Sequence, residues 1–279
     1  MNINAAEYFS HSTVRIECNR FDGGISTGTG FFYNLNDSGG THVPVIVTNK
    51  HVVENSFQIN FHFTRQNKDG SPDVGNLVPF SIGSTMQQWI PHPDDNIDLC
   101  VIPIGRLLKN FENNNPDDPE RRIYFSPLNK NFLPDEDEIN ELLGLNSIVM
   151  VGYPNGLWDE KNNLPVFRSG ILASSYKTDW NGRKEFLIDA ACFPGSSGSP
   201  VFIYDPSFHM INGDHVIRSK ILLLGVLYGG PQHTAEGEII ILPIATQSRQ
   251  ISLSDIPNNL GFVIKSEQLL AFEDIFANN

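Results

Sequence analysis

The sequence is short of positive charge. Nineteen Lys and Arg stand against 32 Asp and Glu over 279 residues, a net charge of −13. Such a chain repels phosphate backbones and anionic membrane surfaces, so nucleic acid and lipid are not expected partners, and the acidity itself reads as a solubility feature. Cysteine is scarce too: Cys18, Cys100 and Cys192 make an odd count, and the last two lie in or beside apolar segments. They are expected to be free buried thiols in a reducing cytoplasm, without disulfides. No apolar run approaches the ~20 residues that span a bilayer. Met1–Tyr8 lacks the basic start and apolar stretch of a secretory leader, so a soluble, unexported chain without a membrane anchor is expected. Internal repeats and low-complexity tracts are missing. The spacing of His209 and His215 matches no zinc template, and neither a metal nor another cofactor is expected. Trp89, Trp158 and Trp180 are scattered singly, which suits local packing better than a binding platform.

What the chain does have is 40% apolar residues, enough for a large core, arranged in short segments separated by Gly, Pro, Asn and Asp. This is an all-β rhythm. Val14, Ile16 and Cys18 alternate with Arg15 and Glu17, and Ile59, Phe61 and Phe63 alternate with polar residues, as in strands with one buried face. Val43–Val47 and Leu99–Ile102 are nearly continuous apolar runs, as in strands buried on both faces. Residues 1–105 thus read as one small barrel. From Arg106 to Glu141 acids, bases and the Asn- and Pro-rich stretch Asn113–Pro119 interrupt the pattern, so residues 106–145 read as a connection. Within it Pro134 followed by Asp135, Glu136 and Glu138 predicts a short helix over Asp135–Leu143, its acids serving the helix N-terminus. Strand signals resume at Ile148–Val151, Phe186–Ala190, Pro200–Tyr204, Ile221–Leu227, Ile239–Ile244 and Phe262–Ile264, a second barrel over residues 146–279. Leu269, Leu270, Phe272 and Ile275 then fall at helical spacing, predicting a terminal helix packed on it.

The most informative stretch is Phe193-Pro194-Gly195-Ser196-Ser197-Gly198-Ser199-Pro200, a turn of small residues leading into an apolar strand. A serine hydroxyl attacks a carbonyl well only when a base takes its proton and backbone N–H groups receive the oxyanion. Gly195 has the freedom to aim its N–H, together with that of Ser197, at such an oxygen, and Gly198 leaves room for a substrate. Taken alone, the stretch also fits an ordinary Gly-Ser hairpin loop. Upstream, the apolar run Val45–Val47 leads through Thr48-Asn49-Lys50 to His51, a candidate general base. Asp94, Asp95 and Asp98 are candidate carboxylates to orient it, and Asp98 directly precedes the buried run Leu99–Ile102.

The Gly195–Pro200 turn resembles the Gly-Asp-Ser-Gly-Gly-Pro signature of chymotrypsin-superfamily peptidases, with Ser197 at the nucleophile. Thr48-Asn49-Lys50-His51-Val52-Val53 resembles the Thr-Asn-x-His-Val-Val segment of bacterial Deg-type peptidases, and Gly28-Thr29-Gly30-Phe31 the start of the preceding strand in that group. Asp98-Leu99-Cys100-Val101 is similar to their Asp-Leu-Ala-Val. Val151-Gly152-Tyr153-Pro154, Phe167-Arg168-Ser169-Gly170 and Leu224–Gly230 extend the likeness over roughly Ser12 to Ile264. The order His51, Asp98, Ser197 is the chymotrypsin order, and Ser199 breaks the Gly-x-Ser-x-Gly elbow of α/β-hydrolases.

The resemblance implies two perpendicular six-stranded antiparallel barrels with a C-terminal helix and an active site between them. It implies a trypsin-like serine endopeptidase with the triad His51, Asp98 and Ser197, an oxyanion hole from Gly195 and Ser197, and a protein or peptide substrate. Ala191, Cys192, Phe193, Tyr228, Gly229 and Gly230 fall on the substrate-binding walls. None is charged, so cleavage after small or medium apolar residues is expected; Asp189, close by, is the residue that would instead favour Arg or Lys. Tyr228 replaces a Ser that in many relatives holds the triad Asp. Ser196 replaces the Asp that in digestive relatives pairs with a freed terminal amine, so that insertion switch is not expected, and the loop Phe193–Ser197 must be ordered locally or by a partner. Two rival readings are a silent binding module of the same fold and a partner-activated protease of a bacterial response system with a regulatory protein partner. The second is motivated by the lack of a leader and of an appended recognition domain.

Overall fold

The computed structural model describes residues 5–38, 41–83, 89–113, 122–205, 208–211, 214–217, 220–238 and 251–277. The strands in chain order are β1 Thr13–Arg20, β2 Ile25–Ser38, β3 Thr41–Thr48, β4 Ser56–Gln66, β5 Pro72–Gly83, β6 Ile90–Pro91, β7 Cys100–Pro103, β8 Ile123–Tyr124, β9 Ser147–Gly152, β10 Val166–Leu172, β11 Glu185–Asp189, β12 Pro200–Asp205, β13 Phe208–Ile211, β14 Asp214–Ile217, β15 Lys220–Gly229, β16 Gln232–Glu238, β17 Ile251–Pro257 and β18 Leu260–Lys265. The helices are α1 Ala5–Ser10, α2 Lys50–Val53, α3 Gly105–Asn113, α4 Glu136–Glu141 and α5 Leu270–Ala277. The fold is mostly β.

The C-terminal strands close into a six-stranded barrel in the order β10-β11-β18-β15-β12-β9, the count that the resemblance implies; five of its strands fall on the expected segments, and β10 is one that the strand signals did not name. The N-terminal strands differ from the expected six. They form an eight-stranded sheet ordered β5-β4-β1-β2-β3-β7-β6, with β8 paired to β4. The two extra strands, β6 and β8, are only two residues each, too short to leave a periodicity in the sequence. Two hairpins, β13–β14 and β16–β17, branch from the closed barrel, and the first carries His209 and His215 in its backbone. The expected strand Ile239–Ile244 and residues 114–119 of the expected linker lie outside the described residues.

Strands buried on both faces explain the continuous apolar runs. In β3, Ile46 faces the core of the N-terminal sheet with Val14, Ile16, Phe61 and Ile102, whereas Val45 and Val47 face a second cluster shared by the two halves. β7 divides in the same way, with Cys100 and Ile102 on one side and Val101 on the other. In the C-terminal barrel Ile148, Met150, Phe186, Leu224 and Leu227 fill the interior, while Val151, Phe202, Leu223 and Val226 join the shared cluster. Three apolar cores therefore lie in a row, and the middle one fastens the halves together.

Helices seal that middle core. α5 contributes Phe272, as the helical spacing predicts, and follows a 3-10 turn over Ser266–Leu269. α4 has the predicted capping box, with the Asp135 side chain accepting from the Glu138 N–H and the Glu138 carboxylate accepting from the Asp135 N–H. Three helices, α1, α2 and α3, escape the sequence reading. α3 opens the connection, and α1 precedes the first strand, where it buries Phe9. The Phe9 ring lies 4.7 Å from that of Phe202 and 6.0 Å from that of Tyr204. Cys18, Cys100 and Cys192 are free and buried, as expected.

Because Phe9 fills a space at the seam that the surrounding strands cannot close, Phe9→Ala is expected to cost about 3 kcal/mol. Chemical denaturation checks this; a loss below about 0.5 kcal/mol would show that α1 is an appendage and does not belong to the shared core.

Candidate active site

Three elements bring the candidate triad to the seam. His51, which the sequence sets shortly after the apolar run Val45–Val47, sits in α2, directly after β3. Asp98 lies just ahead of β7, which pairs with β3, so the two residues meet at one end of the same ladder. The Asp98 Oδ2 lies 2.5 Å from His51 Nδ1, and Oδ1 accepts the backbone N–H of His51 at 3.2 Å. Asn49 donates its side-chain amide to the Asp98 carbonyl at 2.7 Å. That answers how Asp98 is held without the Ser that Tyr228 replaces: His51 and Asn49, both on the same short turn, bracket it. Asp94 and Asp95 stay in the loop, where Asp94 accepts from Asn96 and the Asp95 carbonyl accepts from Lys50. The hydroxyl of Tyr228 lies instead in the field of Glu185, and burial together with that carboxylate pushes its pKa up to about 12.

Ser197 stands between β11 and β12, at the turn before Pro200. Its hydroxyl donates to the Tyr228 carbonyl at 3.3 Å, its partner among the described residues, so His51 and Asp98 are paired here while Ser197 points toward the pocket. The backbone around it is tightly engaged. The N–H groups of Ser196, Gly198 and Ser199 donate to Phe193, Leu227 and Ser196 at 2.8–3.0 Å. The Pro194 carbonyl accepts from the Asn155 N–H at 2.5 Å, and the Ser197 carbonyl from the Thr29 N–H at 2.8 Å. Among the described residues, only the N–H groups of Gly195 and Ser197 in this stretch of the turn remain without an acceptor. An oxyanion site needs two such unengaged donors aimed at one point.

Two glycines make this turn possible. Gly195 has φ +86, and a Cβ there would lie 2.6 Å from the Tyr153 carbonyl oxygen. Gly198 has φ +87, and a Cβ there would lie 1.9 Å from the Thr29 carbonyl oxygen. Both positions exclude a side chain on space and on backbone conformation.

Beside Ser197 opens a cavity of about 140 Å³ lined by Cys192, Phe193, Pro194, Leu227, Gly229, Gly230, Pro231 and Leu260. Four of the six expected wall residues line it. Ala191 and the Tyr228 side chain do not; Tyr228 faces the site with its carbonyl. Asp189 is exposed at the end of β11 and is not part of the lining. The Cys192 thiol is pushed up to about 11 by burial, so it is neutral near pH 7. The guanidinium of Arg168 lies 5.0 Å from the centroid of the Phe193 ring, which sets a positive charge against one wall. Sequence reasoning named Arg168, Thr29 and Asn49 within motifs without giving them a task, and it missed Asn155 altogether.

The model of a family described as trypsin-like peptidase domain matches residues 28–207, more than half of the chain, and spans His51, Asp98 and Ser197. A search of curated proteins gives no match. Among solved structures the chain is similar to the HtrA-type protease AlgW with a tripeptide, at 15% identity and a TM-score of 0.48, covering 98% of this chain and 62% of that one. It is similar to Rv3671c from M. tuberculosis H37Rv in an inactive mutant form, at 16% identity and a TM-score of 0.44, covering 98% and 89%. It is also similar to Deg5, at 17% identity and a TM-score of 0.46, covering 82% and 84%. The chain spans about 62% of the length of AlgW.

The close approach at Gly198 carries a prediction. Gly198→Ala is expected to destabilise the protein by about 2 kcal/mol or more, since a left-handed backbone and a contact far inside van der Waals distance act together. Thermal unfolding measures it, and an unchanged melting temperature would mean that the Thr29 strand does not press on this turn.

Proposed function

The chain belongs to the trypsin-like peptidase family, and on that footing we propose that it is a serine protease with Ser197 as its nucleophile, His51 as the general base and Asp98 as the group that orients His51. The observation that carries this reading is the pair of unengaged N–H groups at Gly195 and Ser197, together with the bond of the His51 ring to the Asp98 carboxylate.

In this reading the substrate chain enters along β15 and its amide N–H takes over the Tyr228 carbonyl, which frees the Ser197 hydroxyl to turn toward His51. Ser197 Oγ attacks the scissile carbonyl while His51 Nε2 takes the proton, and Asp98 stabilises the resulting imidazolium through Nδ1. The carbonyl oxygen becomes an oxyanion held by the two N–H groups. His51 then passes its proton to the leaving amine, and water hydrolyses the acyl-enzyme by the same relay in reverse. No cofactor takes part. Protein or peptide chains are the substrate, residues 1–105, 106–145 and 146–279 serve as histidine-bearing half, connection and serine-bearing half, and the eight-stranded sheet curls as the first of two barrels. The free thiols support a reducing compartment, the cytoplasm.

Specificity follows from the cavity. About 140 Å³ walled by Leu227, Leu260, Cys192 and two glycines suits a small or medium apolar side chain. A cationic side chain would enter without a counter-charge and against Arg168, and losing its hydration there is costly. The bonds from Asn155 and Thr29 already hold the nucleophile loop, which argues against a need for a partner to order it. They also argue against a silent binding module, since pure recognition has no use for an oxyanion hole.

A peptide library digested in parallel with the wild type and Ser197→Ala tests both halves of the proposal. Cleavage after Ala, Val, Leu or similar residues is expected for the wild type, with a loss of several orders of magnitude in Ser197→Ala and no change in the circular dichroism spectrum. Cleavage after Arg or Lys would overturn the pocket reading and direct attention to Asp189; full activity in Ser197→Ala, with loss in Ser196→Ala or Ser199→Ala, would overturn the choice of nucleophile.

A further inference from the structure

One buried residue that is neither a triad member nor part of the pocket lining bonds the nucleophile turn at two of its carbonyls. Thr29 lies in β2 where the ladder with β3 ends at Phe31 and Val47. Beyond that end its polar groups are turned across the seam. The Thr29 N–H donates to the Ser197 carbonyl at 2.8 Å, its carbonyl accepts the Thr48 hydroxyl at 2.7 Å, and its own hydroxyl donates to the Gly195 carbonyl at 3.0 Å. The Tyr153 N–H in turn donates to that hydroxyl at 3.1 Å. Since Tyr153 occupies an acceptor lobe of the hydroxyl oxygen, its single proton is directed at Gly195.

We propose that Thr29 is a positioning residue of the oxyanion hole, acting through the Gly195 carbonyl, an inference that rests on the reading of Ser197 as nucleophile. The Gly195 N–H is open to a substrate only while the peptide between Pro194 and Gly195 keeps its carbonyl toward Asn155. Gly195 is a glycine with positive φ, free to rotate that peptide by half a turn, which would put the Pro194 carbonyl where the oxyanion belongs. Asn155 holds the carbonyl before Gly195 and Thr29 holds the one after it. With both ends tied, the torsions of Gly195 have a single solution. Removing the Thr29 hydroxyl releases one end and leaves two buried groups, the Gly195 carbonyl and the Tyr153 N–H, without their partner. Rotated turns then compete with the productive one, and the rate falls while substrate binding in the apolar pocket continues.

The test is steady-state kinetics on full-length Thr29→Val, Thr29→Ser and Thr29→Cys, with active sites counted from the burst of a chromogenic ester. Thr29→Val is expected to lower kcat about ten- to a hundredfold with KM changed less than about threefold, somewhat below the effect of deleting an oxyanion donor itself. Thr29→Ser keeps the hydroxyl and should return kcat to within about threefold of wild type, with Thr29→Cys, a weak donor, in between. If Thr29→Val does not fold, the order Ser above Cys in kcat still carries the proposal, and equal kcat in those two overturns it. A folded Thr29→Val with wild-type kcat per active site and only a lowered melting temperature also overturns it, because the hydroxyl would then be structural alone. A wild type with no burst sinks the nucleophile reading instead, and is told apart from the other outcomes by occurring before any substitution.

Discussion

The orientation of one peptide plane, between Pro194 and Gly195, governs what this site offers a substrate. Its carbonyl is bound by the Asn155 N–H, and its own N–H is left without an acceptor, the state in which the proposed mechanism uses it. A hydrogen-bond donor in a partly water-excluded cleft is strong when filled and costly when misdirected, so the rest of the seam is arranged around keeping this plane still. Asn155 reaches it from a 3-10 turn in which Asn155 and Gly156 both take positive φ. Thr29 reaches it from the other half of the molecule. The turn around Ser197 is thus a joint between two sheets, and the apolar cluster with Phe31, Val47, Val151, Phe202 and Phe272 behind it holds the joint closed.

Electrostatics sort the neighbourhood into regions of different use. The His51–Asp98 pair lies on the N-terminal side of the cleft, part-buried. On the other side the pocket has no charged residue in its lining, and the Arg168 guanidinium lies over the Phe193 ring. Further back, Lys265, Asp179, Lys184 and Glu267 form a chain of ion pairs at the barrel end, with the Lys265 side chain almost wholly buried against Asp179 at 2.7 Å. That buried ammonium is matched by a carboxylate, as low-dielectric surroundings demand, and it belongs to the scaffold.

Much of this was legible in the sequence because the relevant signals were local. Alternation located β1 and β4, Pro134 with Asp135 and Glu138 located α4, and the glycines around Ser197 located the turn. The long apolar runs of β3 and β7 read as buried on both faces, and they are, because successive residues serve different cores. What could not be read was set by distant partners. α1 is six residues long and has its fold decided by Phe202 and Tyr204, nearly two hundred positions away in sequence. β6 and β8 are pairs of residues recruited by neighbouring strands. The support of Asp98 by Asn49 and the clamp of Thr29 on Gly195 join residues whose side chains look ordinary in their own segments. Tyr228 misled for the opposite reason: its position in the motif was readable, but its hydroxyl answers to Glu185 and leaves only its carbonyl to the site.

The central claim is that the oxyanion hole stands ready around Ser197 in the isolated chain. A crystal structure of the purified protein with a peptide boronate tests it most directly, because a tetrahedral boronate places an oxygen where the oxyanion forms. The account predicts a bond from boron to Ser197 Oγ and a boronate oxygen about 3 Å from both the Gly195 and Ser197 nitrogens, with the Pro194 carbonyl still on Asn155. A bond to Ser196 or Ser199, or a Pro194–Gly195 peptide rotated so that its carbonyl faces the boronate, would contradict it.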